Sequence, residues 1–168
     1  SCLPKDLKAL TTLAHDQYLD TPVLNSIQPS NQEQKERAYH LIEKTGKKRI
    51  GIIGLSFKAG TDDLRNSPII DVIEKLKGRG FAIRIFDSNV TLSRLVGKNK
   101  SFIEEKLPHI STLMEKSLNK FIEWAEVIVL NNPNVENFAA KIREDQLIID
   151  LVRLPELEDR ENYDGICW

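Results

Sequence analysis

Residues 55–66 hold four charged side chains that could bind a negatively charged ligand: Lys58, Asp62, Asp63 and Arg65. An arginine binds phosphate or carboxylate oxygens through two parallel hydrogen bonds, whereas a lysine binds them as a point charge. The two aspartates offer these cations another partner, because an ion pair within the segment would order it without any ligand. The residues alone leave both interpretations open, and we call this segment the 55–66 loop.

A second group of reactive side chains lies near the start of the chain and comprises Cys2, Lys5 and Asp6. The apolar spacing indicates a helix over about 4–17, with Cys2 just ahead of its N-terminus. The positive end of the helix dipole and Lys5 favour the thiolate, which is the nucleophilic form of cysteine. Asp6 would act as a general base or would complement the dipole. Cys2 would equally serve as an inert, small apolar side chain, so the spacing alone does not decide.

A predicted strand and a predicted helix flank the 55–66 loop and would position it. Residues 49–54 are largely β-branched and apolar between polar neighbours, which is typical of a buried parallel strand. Ser67 and Pro68 are favoured at the N-cap and first position of a helix, and the apolar spacing predicts that helix over 68–78. The loop would therefore lie beyond the carboxyl end of a strand, where open α/β sheets bind ligands.

Two further features could belong to a nucleotide site. Gly51 and Gly54 precede the loop, but the third glycine of the dinucleotide fingerprint is absent and the helix begins well beyond them. Asp87 ends the next predicted strand, at a position where a carboxylate can bind a ribose. The sequence Asp87-Ser88-Asn89 is equally a plain turn, and we favour the turn.

From Lys48 onward, predicted strands and helices alternate. The strands are 49–54, 81–87, 126–131 and 146–151, and the helices are 68–78, 118–124 and 134–143, with a broken helical region over 91–115. This alternation predicts an α/β fold, a Rossmann-like doubly wound parallel sheet with helices on both faces. The polar stretch 156–164 is interpreted as a tail or surface loop. A domain boundary near Thr45 and Gly46 would separate a helical segment, 1–45, from the α/β domain, 46–168.

The helical segment contains a second predicted helix over about 22–44. Pro29 is expected to kink or divide it. Its middle, Gln28 to Arg37, is nearly all polar, so it is either solvated or lies against another subunit. A helix of this length is marginal in water unless something buries one face. We therefore expect residues 22–44 to carry a subunit contact.

The composition, 40% hydrophobic and 29% charged over 168 residues, is that of a soluble globular protein. A net charge of −1 argues against a nucleic acid partner or an anionic membrane surface. No apolar run approaches the ~18 residues of a membrane span, and no signal peptide is recognisable. Two cysteines, Cys2 and Cys167, are too few for a disulfide framework and indicate a reducing cytoplasm. The three histidines lack metal-ligand spacing, so no metal is expected.

Two segments resemble motifs of a known enzyme family. Residues 1–6 are similar to the catalytic cysteine motif of the nucleotide-sugar 6-dehydrogenases, and residues 54–68 resemble the signature loop of their carboxyl-terminal domain. Within the family, residues 2–6, 84–87 and 165–168 resemble most the members that oxidise GDP-mannose and supply GDP-mannuronate for alginate. The members that act on UDP-sugars are the alternative.

The resemblance implies a role for each candidate residue. Cys2 would be the nucleophile, and Asp6 would handle the hydrolytic water or a proton. Lys5 and Arg65 would contact NAD, and Lys58 would contact the nucleotide sugar. The implied reaction is a four-electron oxidation of a sugar alcohol to a carboxylate with two NAD, through a cysteine thiohemiacetal and thioester. The resemblance also implies a homodimer built through central helices.

The resemblance further implies that this chain is the carboxyl-terminal half of such an enzyme. The amino-terminal dinucleotide-binding domain of the family has no counterpart in these residues, so the isolated chain is expected to be inactive. The competing hypothesis is a free-standing nucleotide-binding or interaction module without catalysis, which the self-contained α/β pattern from residue 46 permits.

Overall fold

Five parallel strands form a sheet in the order β2-β1-β3-β4-β5 in the computed structural model of the chain. The structure describes residues 2–58, 61, 63–90, 95, 97–108, 110–132 and 138–166. The strands are β1 (Arg49–Ile53), β2 (Ala82–Phe86), β3 (Val127–Leu130), β4 (Leu147–Asp150) and β5 (Tyr163–Gly165). Ile52 of β1 pairs with Ile85 of β2 on one side and with Val129 of β3 on the other. The strand β1 is therefore an interior strand, paired on both sides, which agrees with the buried parallel strand predicted from its apolar residues.

Helices precede the sheet and cover both of its faces. They are α1 (Cys2–Asp16), α2 (Pro22–Lys44), α3 (Pro68–Gly78), α4 (Gly97–Lys106), α5 (Ile110–Leu113) and α6 (Leu118–Trp124). Two single turns of 3₁₀ helix, Ala139–Lys141 and Pro155–Leu157, follow β3 and β4. The predicted α/β, doubly wound parallel sheet with helices on both faces is confirmed, and a helical segment precedes it.

Alternate side chains of the sheet enter two separate cores. Ile50 and Ile52 of β1 join the core formed with α2, α3, α4 and α5. Ile53 joins the second core, which includes Phe121 of α6. Gly51 faces α6 so closely that a Cβ atom there would lie 2.7 Å from the Phe121 ring. The absence of a side chain at Gly51 therefore allows α6 to pack directly on β1.

Three sequence predictions about elements have clear outcomes. The helix 68–78 is confirmed at both ends by α3, and the helix 118–124 by α6. The helix 134–143 is wrong over its described part, because only a 3₁₀ turn over Ala139–Lys141 forms and Ile142 is already extended. Residues 133–137 lie outside the described residues.

The prediction that 156–164 is a tail or surface loop is also wrong at its end. Residues Tyr163–Gly165 form β5, which pairs in parallel with β4. The Tyr163 hydroxyl donates a hydrogen bond of 2.9 Å to Asp150, which is buried at the end of β4. This contact attaches an otherwise polar segment to the edge of the sheet.

Pro29 was expected to kink or divide α2, and the division is wrong, because the helix runs without interruption through Pro29. Proline removes one hydrogen bond of the helix, the bond to the carbonyl of Asn25. Both residues are exposed, so water can bind that carbonyl instead. The missing bond is therefore tolerated within a continuous helix.

The polar middle of α2 has a partner that the sequence did not suggest. Lys35 Nζ lies 2.6 Å from Asp71 Oδ2 of α3, and Lys75 of α3 forms an ion pair with Glu36. The hydrogen bond from Lys75 lowers the pKa of Glu36. The last turns of α2 then enter the first core through Ala38, Tyr39 and Ile42. This half of α2 is thus anchored on α3, whereas residues 28–34 are exposed.

Among the described residues, no helix is both long and apolar enough to cross a membrane. The proposed boundary near Thr45 and Gly46 falls where α2 ends. Because α2 contributes side chains to the core of the α/β unit, that boundary stays a prediction.

Candidate functional site at the carboxyl edge of the sheet

The strand order reverses between β1 and β3, and this point defines the candidate site. The first crossover leads from β1 to the outer strand β2, and the next leads back across β1 to β3. The loops that follow β1 and β3 therefore leave in opposite directions and open a crevice at their carboxyl ends. The 55–66 loop follows β1, and Asn131 and Asn132 follow β3.

Asp87, at the end of β2, fixes the start of the 55–66 loop. Its Oδ2 atom accepts hydrogen bonds from the backbone N–H groups of Leu55, at 2.7 Å, and Ser56, at 3.4 Å. Its Oδ1 atom accepts from the backbone of Asn89 and Val90, at 2.8 and 3.2 Å. Both oxygens are occupied by backbone amides, which supports the turn over the ribose-binding interpretation of Asp87.

Two more contacts close the 55–66 loop. The Phe57 N–H donates to the Asp63 carbonyl at 2.8 Å and brings the two sides of the loop together. Asn99 of α4 accepts a hydrogen bond of 3.0 Å from the Leu64 N–H. Leu64 itself is fully buried. The loop is thus held from β2, from α4 and across its own neck.

Lys58 lies near the tip of this closed loop, with a fixed backbone and an exposed side chain. Its carbonyl accepts hydrogen bonds from the Ser56 hydroxyl at 3.0 Å and from the Thr61 hydroxyl at 2.8 Å. Its ammonium group has no ion pair among the residues that the structure describes. A cation with a fixed backbone and an exposed ammonium group is suited to binding an anionic ligand.

Arg65 forms an ion pair with Asp63. The Arg65 Nε and Nη2 atoms donate to the two oxygens of Asp63 at 2.9 and 2.8 Å. The side chains are 42% and 28% exposed, so this pair is partly solvated. The structure therefore contains the internal ion pair that the sequence offered as an alternative, and a phosphate would have to compete with Asp63 for the same guanidinium edge. Asp62 lies outside the described residues.

The cysteine motif lies on α1, a different element from the 55–66 loop. Cys2 is the first residue of α1, so it is itself helical and does not precede the helix. Lys5 and Asp6 are exposed, and their charged atoms lie 4.0 Å apart, which contributes little in water. The helix α1 packs against α2.

Ser67 occupies the predicted N-cap position of α3 but does not cap it with its side chain. The Ile70 N–H donates instead to the Ser67 backbone carbonyl at 3.1 Å, which replaces the expected bond to the hydroxyl. The hydroxyl is buried without a hydrogen-bond partner among the described residues. The helix start was predicted correctly, but the capping bond was not.

Sequence reasoning missed Ser56 and Asn132, which are the buried polar side chains of the crevice. Their exposed fractions are 1% and 8%. The Asn132 amide donates to the Ser56 hydroxyl at 3.0 Å. A polar pair directly after the apolar strand β3 was the available signal, because the carboxyl ends of adjacent parallel strands meet at one edge. No group of three potential metal ligands occurs in the described ranges.

This arrangement defines the class of the domain. A parallel sheet of strand order 2-1-3-4-5, with a charged loop at its switch point, is a doubly wound α/β domain of the kind that binds nucleotides. The sequence profile of the UDP-glucose/GDP-mannose dehydrogenase family, UDP binding domain, matches residues 51–154. The chain belongs to this family.

Individual relatives match the chain over almost its whole length. GDP-mannose 6-dehydrogenase of Azotobacter vinelandii is 42% identical over 170 residues, covering 100% of this chain and 39% of the relative. UDP-glucose 6-dehydrogenase of Rickettsia bellii is 29% identical, covering 96% of this chain and 38% of the relative. The chain therefore spans less than half the length of these relatives.

Among solved structures, a ternary complex of GDP-mannose dehydrogenase from Pseudomonas aeruginosa superimposes with a TM-score of 0.87 at 41% identity. It matches 100% of this chain and 39% of that chain. Both the helical segment and the sheet thus have counterparts in a solved family member.

Proposed function

We propose that this chain is the carboxyl-terminal part of an NAD-dependent nucleotide-sugar 6-dehydrogenase that oxidises GDP-mannose to GDP-mannuronate, an alginate precursor. The main support is the 42% identity to a GDP-mannose 6-dehydrogenase, which extends through the cysteine motif and the α/β domain without a break in coverage. The geometry of the 55–66 loop is consistent with that role, because it presents Lys58 at the carboxyl edge of the sheet.

The choice of GDP-mannose over a UDP-sugar rests on the relatives. Identity is 42% to the GDP-mannose enzyme of Azotobacter vinelandii and 29% to the UDP-glucose enzyme of Rickettsia bellii. This choice is tested by initial rates with each nucleotide sugar, measured on the full-length polypeptide, which is the complete dehydrogenase that would contain this chain. Higher kcat/KM with UDP-glucose than with GDP-mannose would assign the chain to the UDP-sugar branch.

In this proposal, Cys2 supplies the covalent step. Bound NAD would accept a hydride in each of the two oxidations. Between them, the Cys2 thiolate adds to the aldehyde carbon of the sugar, and the new alkoxide takes up a proton to give a thiohemiacetal. After the second oxidation, water attacks the resulting thioester, the sulfur leaves as thiolate, and Asp6 handles the proton or positions the water. The sugar carbon gains one oxygen from water and the thiol is regenerated.

The cations are assigned to the charged groups of the two ligands. Lys58 would bind the nucleotide sugar, and Lys5 and Arg65 would contact NAD. Lys5 is exposed on α1, and Arg65 presents a partly exposed guanidinium, so both side chains are accessible to a phosphate. Binding through Arg65 requires that the phosphate displace or share the contact with Asp63.

The Cys2→Ser variant of the full-length polypeptide tests the covalent step. A serine hydroxyl has a far higher pKa than a thiol and does not capture the aldehyde comparably, so we expect carboxylate formation to be lost. The measurement is NADH released per sugar together with detection of the uronate product. Wild-type turnover by Cys2→Ser would remove Cys2 from the reaction.

The Lys58→Ala and Arg65→Ala variants test the ligand assignments. Loss of a charge-assisted hydrogen bond weakens binding by roughly 1.5–3 kcal/mol, so we expect KM for the nucleotide sugar to rise in Lys58→Ala and KM for NAD in Arg65→Ala. Lys77→Ala is the matched control, because Lys77 is equally exposed but lies near the carboxyl end of α3. Unchanged KM values in Lys58→Ala would refute its assignment.

We also propose a homodimer through the helical segment and a cytoplasmic location. Val23 and Ile27, in the first half of α2, are 76% and 36% exposed, and Leu10 and Leu13 of α1 are 48% and 58% exposed. The Val23→Asp/Ile27→Asp variant should lower the molar mass measured by light scattering. Deletion of 1–45 is unsuitable, because it would remove Tyr39 and Ile42 from the core. The location stays a prediction from the cysteine content.

A further inference from the structure

The carbonyl group of Lys58 is held by bonds from two sides. Thr61, within the loop, donates to it from its hydroxyl at 2.8 Å and from its backbone N–H at 3.3 Å. Ser56, at the base of the loop, donates from its hydroxyl at 3.0 Å. Thr61 belongs to the same tip as Lys58, whereas the Ser56 bond links Lys58 to the base of the loop, next to β1.

The Ser56 hydroxyl is itself oriented by a residue from another strand. The Asn132 side-chain amide donates to the Ser56 hydroxyl at 3.0 Å. Ser56 and Asn132 are 1% and 8% exposed, so water does not compete freely with these bonds. An amide that donates to the hydroxyl oxygen leaves the hydroxyl proton to point at the Lys58 carbonyl. In this series of hydrogen bonds, Asn132 therefore donates to Ser56, and Ser56 donates to Lys58.

The backbone places Asn132 in this position. The Asn132 N–H donates to the Ile53 carbonyl at the end of β1, at 3.2 Å. Gly54 has φ of +88° and lies against Asn132, so that a Cβ atom at residue 54 would be 2.1 Å from the Asn132 Cβ. A side chain at this position would push Asn132 away from Ser56. The absence of a side chain at Gly54 thus allows Asn132 to lie close to the backbone that follows β1.

We propose that Asn132 is a positioning residue for substrate binding, acting through Ser56 on Lys58. This inference rests on the proposed function, in which Lys58 binds the nucleotide sugar. The side of the crevice formed by β3 then sets the position of a ligand-binding cation carried by the loop after β1. Asn132 itself need not touch the ligand.

The Asn132→Asp variant keeps the shape of the side chain but reverses the hydrogen bond between residue 132 and Ser56. A carboxylate accepts the Ser56 proton, so the hydroxyl no longer donates to the Lys58 carbonyl. Gln146→Glu is the matched control, because Gln146 is fully buried and its amide donates to the carbonyls of Ile122 and Ala125, at 2.6 and 2.7 Å. Gln146 directly precedes β4, so it lies at the amino ends of the strands and not at their carboxyl ends, where Asn132 lies. Both changes put a carboxylate in place of a buried, donating amide.

Steady-state kinetics of the full-length polypeptide give the result. In Asn132→Asp, we expect KM for the nucleotide sugar to rise about tenfold, the effect of losing one well-placed hydrogen bond, with KM for NAD and kcat within about twofold of wild type. Gln146→Glu should lower the melting temperature without changing either KM. Ser56→Ala, which breaks the same series of hydrogen bonds without adding charge, should raise the same KM and serves as the second variant if Asn132→Asp does not fold.

The double variant Lys58→Ala/Asn132→Asp separates failure of this inference from failure of the proposed function. If Asn132 acts through Lys58, the Asn132→Asp change adds nothing once the Lys58 side chain is removed. A raised KM in Lys58→Ala with normal KM in Asn132→Asp and Ser56→Ala overturns the positioning role alone, as do additive effects in the double variant. A normal KM in Lys58→Ala refutes the assigned role of Lys58 and the inference with it.

Discussion

Asp87 and Asp150 end two strands of the same sheet and make similar bonds, but they serve different structures. Asp87 accepts from four backbone N–H groups, divided between the end of β1 and the turn after β2. Asp150 accepts from the backbone of residues 152, 153 and 154 and from the Tyr163 hydroxyl. An aspartate at a strand end therefore does not by itself indicate a ligand.

The difference lies in what each carboxylate leaves accessible. Asp150 is fully buried and joins the loop after β4 to the edge strand β5. Asp87 is only partly buried, and the loop that it holds carries Lys58 into solvent. Asp150 thus attaches the edge strand to the sheet, whereas Asp87 supports a candidate ligand site.

The largest effect on stability is expected from Asp150→Asn. The substitution removes the charge and turns an amide N–H toward groups that are all donors, so the free energy of unfolding should fall by about 3 kcal/mol. Urea denaturation of this chain measures it. Asp159→Asn is the control, because Asp159 is exposed and the same substitution there should change stability by less than about 0.5 kcal/mol. Equal stability of the two variants would contradict the structural role of Asp150.

A smaller loss of stability is expected from Asp87→Asn, with an added effect on ligand binding. Because Asp87 is partly solvated, the free energy of unfolding should fall by only about 1–2 kcal/mol. Because Leu55 and Ser56 lose their acceptor, the 55–66 loop should also shift, and KM for the nucleotide sugar should rise in the full-length polypeptide. Asp150→Asn should leave that KM unchanged wherever the protein remains folded. A KM effect at Asp150 but not at Asp87 would reverse the comparison.

The Tyr163→Phe variant tests the edge strand and should cost about 1 kcal/mol at neutral pH. Burial and the hydrogen bond to Asp150 raise the pKa of Tyr163. A raised pKa stabilises the folded state fully below the unfolded value of about 10, and this stabilisation is lost as the pH rises through the folded pKa. The difference in stability between wild type and Tyr163→Phe should therefore shrink above about pH 10. A difference that grows with pH would contradict the assignment.

The smallest effect on stability is expected from Arg65→Ala. Its ion pair with Asp63 is partly exposed, and such pairs contribute roughly 0–1 kcal/mol. Thermal melts of this chain should place Arg65→Ala within a few degrees of wild type. A loss as large as that of Asp150→Asn would mean that Arg65 is mainly structural, and KM for NAD should then be unaffected.

Local patterns predicted the central elements well. The bounds of α3 followed from Ser67, Pro68 and a regular apolar spacing, all of which act within a few residues. The same spacing over 134–143 indicated a helix, but after residue 138 the described chain makes one 3₁₀ turn and Ile142 is extended. Apolar periodicity alone does not distinguish a helix from a buried loop whose side chains happen to share that spacing.

The features that the sequence did not reveal depend on distant partners. The short strand β5 pairs with β4 and Tyr163 bonds to Asp150, whereas the sequence Tyr163–Gly165 has no apolar strand pattern of its own. Asn132 meets Ser56 across 76 positions, because β1 and β3 are adjacent in the sheet. The charged residues of the 55–66 loop were found from their types, whereas the residues that hold the loop required the strand order.

The unbroken helix α2 connects the cysteine motif on α1 to the α/β unit. Its 23 residues extend over roughly 34 Å at about 1.5 Å per residue. One end is fixed to α3 by Lys35, Glu36 and the core side chains, and the other end carries α1 with Cys2. Pro29 lies between these two ends and removes one hydrogen bond of the helix, which is a common cause of helix bending. A change of bend at Pro29 would therefore alter the distance from Cys2 to Lys58 without any change in the sheet.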